Sequence, residues 1–120
     1  MKFKILLASF IAFSSISTYS MSPKEFSNTF DEKVNSLDYM VERIVDMSNR
    51  YDSMDSEQIQ IFNFSICSTY KNNVEIMNLL HRNPEYAQYI SDKKVEELIA
   101  SRDFLEKLKD LVSRTETPCS

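Results

Sequence analysis

Between residues 23 and 49 the apolar side chains Phe26, Phe30, Leu37, Val41 and Ile44 fall at steps of three, four or seven residues, and Val34 fills the one gap. Tyr51 continues the same step. That spacing keeps one face of an α-helix apolar. A start signal precedes it in Ser22-Pro23-Lys24-Glu25: a serine able to cap, a proline at the first helical position, and a glutamate three residues after the cap. The pattern predicts a helix over 23–49, with a kink near Asn35-Ser36.

The next apolar stretch, "IQIFNFSICSTY" at residues 59–70, fits two periods. Phe62, Phe64 and Ile66 alternate with Asn63 and Ser65, as in a half-buried strand, whereas Ile59, Phe62, Ile66 and Tyr70 follow a helical repeat. A strand needs a partner strand, and nothing else after residue 20 shows sustained alternation bounded by turn signals. Asp55-Ser56-Glu57-Gln58 directly before it forms a second capping-box pattern. We therefore read 56–71 as a helix, the most buried of its set, with Ile61 and Phe64 packing against a second layer. Asn72-Asn73 marks a fresh helix start or a mid-helix irregularity, which gives a helix over 73–82. Asn83-Pro84-Glu85 opens another over 84–90, and Ser91-Asp92 the last, over 92–114. The stripe of this last helix is Val95, Leu98, Ile99, Leu105, Leu108 and Val112, with Glu96, Glu97, Lys107 and Lys109 turned outward. Residues 115–120 form a tail.

Composition reinforces this pattern. The chain has no glycine, and tight hairpins favour residues that reach positive φ, so the expected fold is all-α. The architecture is a small irregular bundle of four to five helices in one domain, residues 21–120, following an N-terminal signal peptide. The signal is read from Lys2 and Lys4, the apolar run "ILLASFIAF" and the small polar stretch "SSISTYS"; Thr18 and Ser20 suit cleavage before Met21, and Ser15 and Ser17 offer a second register. The apolar run is shorter than the roughly 20 residues a membrane span requires, so no stable insertion follows cleavage. The expected location is the periplasm or the medium.

Loss of residues 1–20 removes two lysines and no acid, which takes the formal charge from −4 to −6. An acidic chain without a basic run is not built to displace counterions from nucleic acid. An exported chain with two cysteines most simply pairs them, so Cys67 and Cys119 are expected to form one disulfide. A bridge closing a loop of that length contributes about 4 kcal/mol in the chain-entropy view.

Motifs for chemistry are sparse. The single histidine, His81, sits at an expected helix end, where the helix dipole accounts for it. There is no zinc-ligand spacing, no glycine-rich phosphate loop, and no recognisable nucleophile with base and orienting group, so we expect no enzymatic activity and no cofactor. Asp52, Asp55 and Glu57 cluster in a connection, but the calcium-loop spacing and its glycine are missing. Met40, Met47 and Met54 recur every seven residues, which suits adaptable core packing, with soft-metal binding as the alternative. Tyr86 and Tyr89 flank a short helix beside His81 and Arg82; tyrosine and arginine are enriched at interface hot spots, and these four form the candidate partner surface.

Two short fragments, "SEQ" at Ser56–Gln58 and "TYKN" at Thr69–Asn72, are similar to stretches of the periplasmic antiholin that mediates lysis inhibition in T-even phages. Those proteins are short, helical, exported and disulfide-bonded. The likeness covers under a fifth of the chain, the gap between the fragments differs, and the cysteines here lie far apart with one near the C-terminus. What it implies is one example of an exported helical inhibitor. The functional expectation is a protein-binding module of the inhibitor, immunity or lysis-regulator kind, acting on another exported or envelope protein. The alternatives are a helical carrier of a small ligand or soft metal, and a small secreted effector or envelope protein.

Overall fold

The computed structural model describes residues 21–115 and 119, all helix, turn or connection with no strand among them. The expected signal peptide, residues 1–20, lies outside the described residues. Helix α1 spans Pro23–Ser48. A 3-10 turn at Tyr51–Ser53 leads to α2, Ser56–Arg82; the short α3 is Pro84–Ala87, and α4 is Asp92–Val112.

Local chemistry starts these helices where the sequence indicates. The Ser22 N–H donates to Glu25 Oε1 at 2.9 Å and the Glu25 N–H returns a bond to Ser22 Oγ at 3.1 Å. Asp55 and Gln58 make the same reciprocal pair at the head of α2, at 2.9 and 2.8 Å. Ser91 Oγ accepts from the Lys94 N–H to start α4. Each reciprocal pair occupies backbone donors that a helix start otherwise leaves open.

The expected restart at Asn72-Asn73 is absent, and α2 runs unbroken for 27 residues. The two amides serve long-range contacts instead: Asn72 Nδ2 donates to the Lys33 carbonyl and Asn73 Nδ2 to the Leu98 carbonyl. Asn83 does not cap α3 with its side chain; its Nδ2 donates back to the Leu79 carbonyl and closes α2. Helix α3 ends at Ala87, and turns carry the chain to Ser91.

The three long helices run up, down and up. Lys33 on α1 pairs with Glu75 on α2 at 3.1 Å, and near the opposite end Tyr51 packs on Phe62, so α1 and α2 are antiparallel. Asn73 meets Leu98, Lys109 lies over the Tyr70 ring and Cys67 is joined to Cys119, so α2 and α4 are antiparallel too. Helix α2 is therefore central, flanked by α1 on one side and α4 on the other. Its inward face carries Phe62, Ile66, Thr69, Asn73 and Ile76, all buried, against Leu37 and Ile44 of α1 and Leu98 and Leu105 of α4. The ambiguous stretch is helical, and its two periods separate cleanly. Phe62 and Ile66 point inward, while Ile61 and Phe64, expected to meet a second layer, face solvent at 54% and 73% exposure. A single central helix with two flanking helices has no layer to cover that side.

Candidate protein-binding groove

At the end of the molecule where α1 stops and α4 stops, the two flanking helices part above a buried stretch of α2. The result is an open groove of about 360 Å³. Its floor is Phe62, Asn63 and Ile66 of α2; one wall is Ser48 and Tyr51, and the other Leu108, Leu111, Val112 and Thr115. Tyr51 and Leu111, on facing walls, are substantially exposed. The lining contains no carboxylate, imidazole or amine. It suits apolar side chains brought by another molecule.

The walls are fixed by local bonds. The α1 end is closed by Ser48 Oγ donating to the Val45 carbonyl and by the Arg50–Asp46 pair at 2.9 Å, after which the 3-10 turn swings the Tyr51 ring to 5.7 Å from that of Phe62. On the other wall Thr115 Oγ1 donates to the Val112 carbonyl at 2.7 Å, ending α4, and accepts from Asn63 Nδ2 at 3.5 Å. One turn along α2 from Asn63, Cys67 is bonded to Cys119, with the two Cα atoms 5.4 Å apart. The bond joins the flank of α2 to a residue 52 positions later, beyond the end of α4.

The four residues expected to form a partner surface divide. His81 and Arg82 are exposed on the last turn of α2, and Tyr89, at 82%, is the most exposed large hydrophobic side chain among the described residues. Tyr86 faces inward: its ring lies 5.3 Å from that of Phe26 and its hydroxyl donates to the Met21 carbonyl at 2.8 Å. It is a strut that fixes the start of α1 against α3. These residues lie at the far end of α2 from the groove.

Met47 is buried, Met54 is half-buried against the core, and Met40 is half-buried. The Met40 sulfur receives the Ser36 hydroxyl at 3.7 Å and the Asn72 amide at 4.0 Å. Asp55 is engaged as the α2 cap. Among the described residues no group of three His, Cys, Asp or Glu side chains is placed to hold a metal ion, and no helix is long and apolar enough to cross a membrane.

The groove was not visible in the sequence. Tyr51 reads there as the last member of the α1 stripe, and Leu111 falls one residue off the α4 stripe beside Val112. An apolar residue left over from a helical stripe was the one available signal. Compared with protein-family models, curated proteins and solved structures, the chain matches none.

Proposed function

We propose that the protein is an exported binding module of the inhibitor, immunity or lysis-regulator kind, which acts by seating an apolar segment of another protein in the groove between the ends of α1 and α4. The observation that carries this reading is the groove itself, floored by Phe62 and Ile66 beside the Asn63 amide and edged by the exposed Tyr51 and Leu111. A few well-packed, fully desolvated anchors, tyrosine prominent among them, supply most of the energy of such contacts. Export is supported by the basic, apolar and small-polar order of residues 1–20 and by the paired cysteines, since disulfides persist in oxidising compartments. The partner is an exported or envelope protein.

The test is a pull-down from envelope extract with oxidised protein, run beside Leu111→Glu and Tyr89→Ala. The proposal expects one stoichiometric partner that Leu111→Glu loses and Tyr89→Ala keeps. The reverse pattern moves the site to the His81, Arg82 and Tyr89 end. Absence of any stoichiometric partner overturns the inhibitor reading.

A further inference from the structure

The face of α2 turned away from the core has a pattern the fold leaves unexplained. Glu57, Ile61, Phe64, Ser68 and Lys71 follow one another at steps of four, three, four and three residues. That is the seam spacing by which one helix packs along another. Along it Ile61 and Phe64 are more than half exposed, Glu57 and Lys71 are exposed as well, and Ser68 is half-buried. Single exposed apolar residues are ordinary on a protein surface, but here a phenylalanine and an isoleucine lie one turn apart on the central helix.

The charges at the two ends identify the occupant. Glu57 and Lys71 stand seven residues before and seven after Phe64, about 10 Å away on either side. Neither takes part in an ion pair among the described residues, although Glu75 of the same helix pairs with Lys33 and Asp46 nearby pairs with Arg50. A surface with an acid at one end, a base at the other and an apolar centre is complementary to itself once rotated by a twofold axis through that centre. Two α2 helices laid antiparallel about Phe64 bring the two phenylalanines together and set each Ile61 near Ser68 of the second copy. Glu57 of each copy then faces Lys71 of the other, twice by symmetry. A parallel arrangement would place glutamate on glutamate and lysine on lysine, which is unfavourable.

We propose that the outer face of α2 is a self-association surface through which two copies of this chain pair antiparallel. The seam from Glu57 to Lys71 is only about 21 Å long. A stable interface buries about 1,600 Å² in total, so a single helix pair gives a weak, concentration-dependent dimer. The groove floor at Phe62 and Ile66 lies on the opposite side of α2, so pairing leaves both grooves open. The dimer stands or falls independently of what the groove binds.

The test is sedimentation equilibrium of the full chain, purified oxidised, from about 10 μM to about 1 mM. The expected result is a rise from monomer to dimer mass across that range. Phe64→Glu should stay monomeric throughout while melting as the parent does, because its side chain touches little in the monomer. Glu57→Lys and Lys71→Glu should each weaken pairing about tenfold, by placing like charges opposite one another twice. The double variant Glu57→Lys/Lys71→Glu should recover the parent affinity. The proposal is overturned by a parent that stays monomeric to the top concentration or assembles beyond a dimer. It is equally overturned by a dimer that survives Phe64→Glu, by single reversals without effect, or by a double variant no tighter than the singles.

Discussion

The side-chain amide of Asn73 donates to the backbone carbonyl of Leu98 at 3.1 Å, at a position with no solvent exposure. It couples the middle of α2 to α4, and its Oδ1 has no hydrogen-bond partner among the described residues. A protonated carboxyl could donate to Leu98 as the amide does, but a carboxylate could not. In Asn73→Asp, burial should therefore push the new carboxyl pKa above its unfolded value of about 3.9. A group whose folded pKa is raised loses stability as pH climbs above the unfolded pKa, until the folded pKa is passed. At pH 3.5 the variant should melt close to the parent, with a deficit of about 1 kcal/mol or less. At pH 7 it should be less stable by at least about 3 kcal/mol. Urea unfolding of both proteins across that range checks the slope, and a deficit independent of pH would show that the carboxyl is not desolvated.

The Cys67–Cys119 bond ties residues separated by 52 positions and anchors the chain beyond α4. In the chain-entropy view a loop of that size contributes about 4 kcal/mol, a large part of the roughly 5–15 kcal/mol typical of a domain. Cys67→Ser should lower the melting temperature by more than about 10 °C. The parent melted with a reductant should coincide with the variant. Equal melting of oxidised parent and variant would remove the bridge from the list of stabilising features.

Phe62 and Phe64 are two residues apart and do opposite things: Phe62 is buried against the Tyr51 ring and Phe64 is largely in solvent. Truncation of Phe62 to alanine should cost about 3–5 kcal/mol, from lost transfer energy and the cavity left behind. Truncation of Phe64 should change monomer stability by no more than about 0.5 kcal/mol. Chemical unfolding of the two variants at concentrations where the chain is monomeric tests the orientation of α2 directly. Similar costs at the two positions would mean that the helix is rotated from its described register.

These contrasts also show what the sequence could and could not reveal. Helix starts at Ser22, Asp55 and Ser91 are legible because a cap is made by residues within three positions of one another. The cysteine pair is legible by elimination, there being only two. Asn72-Asn73 misleads because the amide that can cap a helix can equally reach another helix, and only the packing of α1 and α4 decides which. Tyr86 misleads in the same way, its hydroxyl finding a carbonyl 65 residues earlier. Ile61 and Phe64 are read as buried if every apolar residue is assumed to have a neighbour, and a three-helix arrangement leaves one side of its central helix without one. The groove is hardest to foresee, since its walls come from chain segments as far apart as Ser48 and Thr115 and exist only once both flanking helices have ended.

Glu25 provides a pH-dependent readout at the start of α1. Its carboxyl is held below the ordinary value of 4.5, first by the backbone N–H of Ser22 and second by the Ser22 hydroxyl, with desolvation opposing weakly. A carboxylate whose folded pKa is lowered supports the fold fully above its unfolded pKa and loses that support as pH falls through the folded value. The capping box should therefore stay intact down to pH 4.5 and open below it, releasing the Ser22 N–H and loosening the first turn beside the Tyr86–Met21 contact. Proton NMR can follow this at a single atom. The Ser22 amide resonance should titrate with a midpoint below 4.5. In Glu25→Gln, which keeps an acceptor oxygen but cannot ionise, the same resonance should not follow that curve. A parent midpoint at or above 4.5 would mean that the reciprocal Ser22–Glu25 pair does not persist in solution.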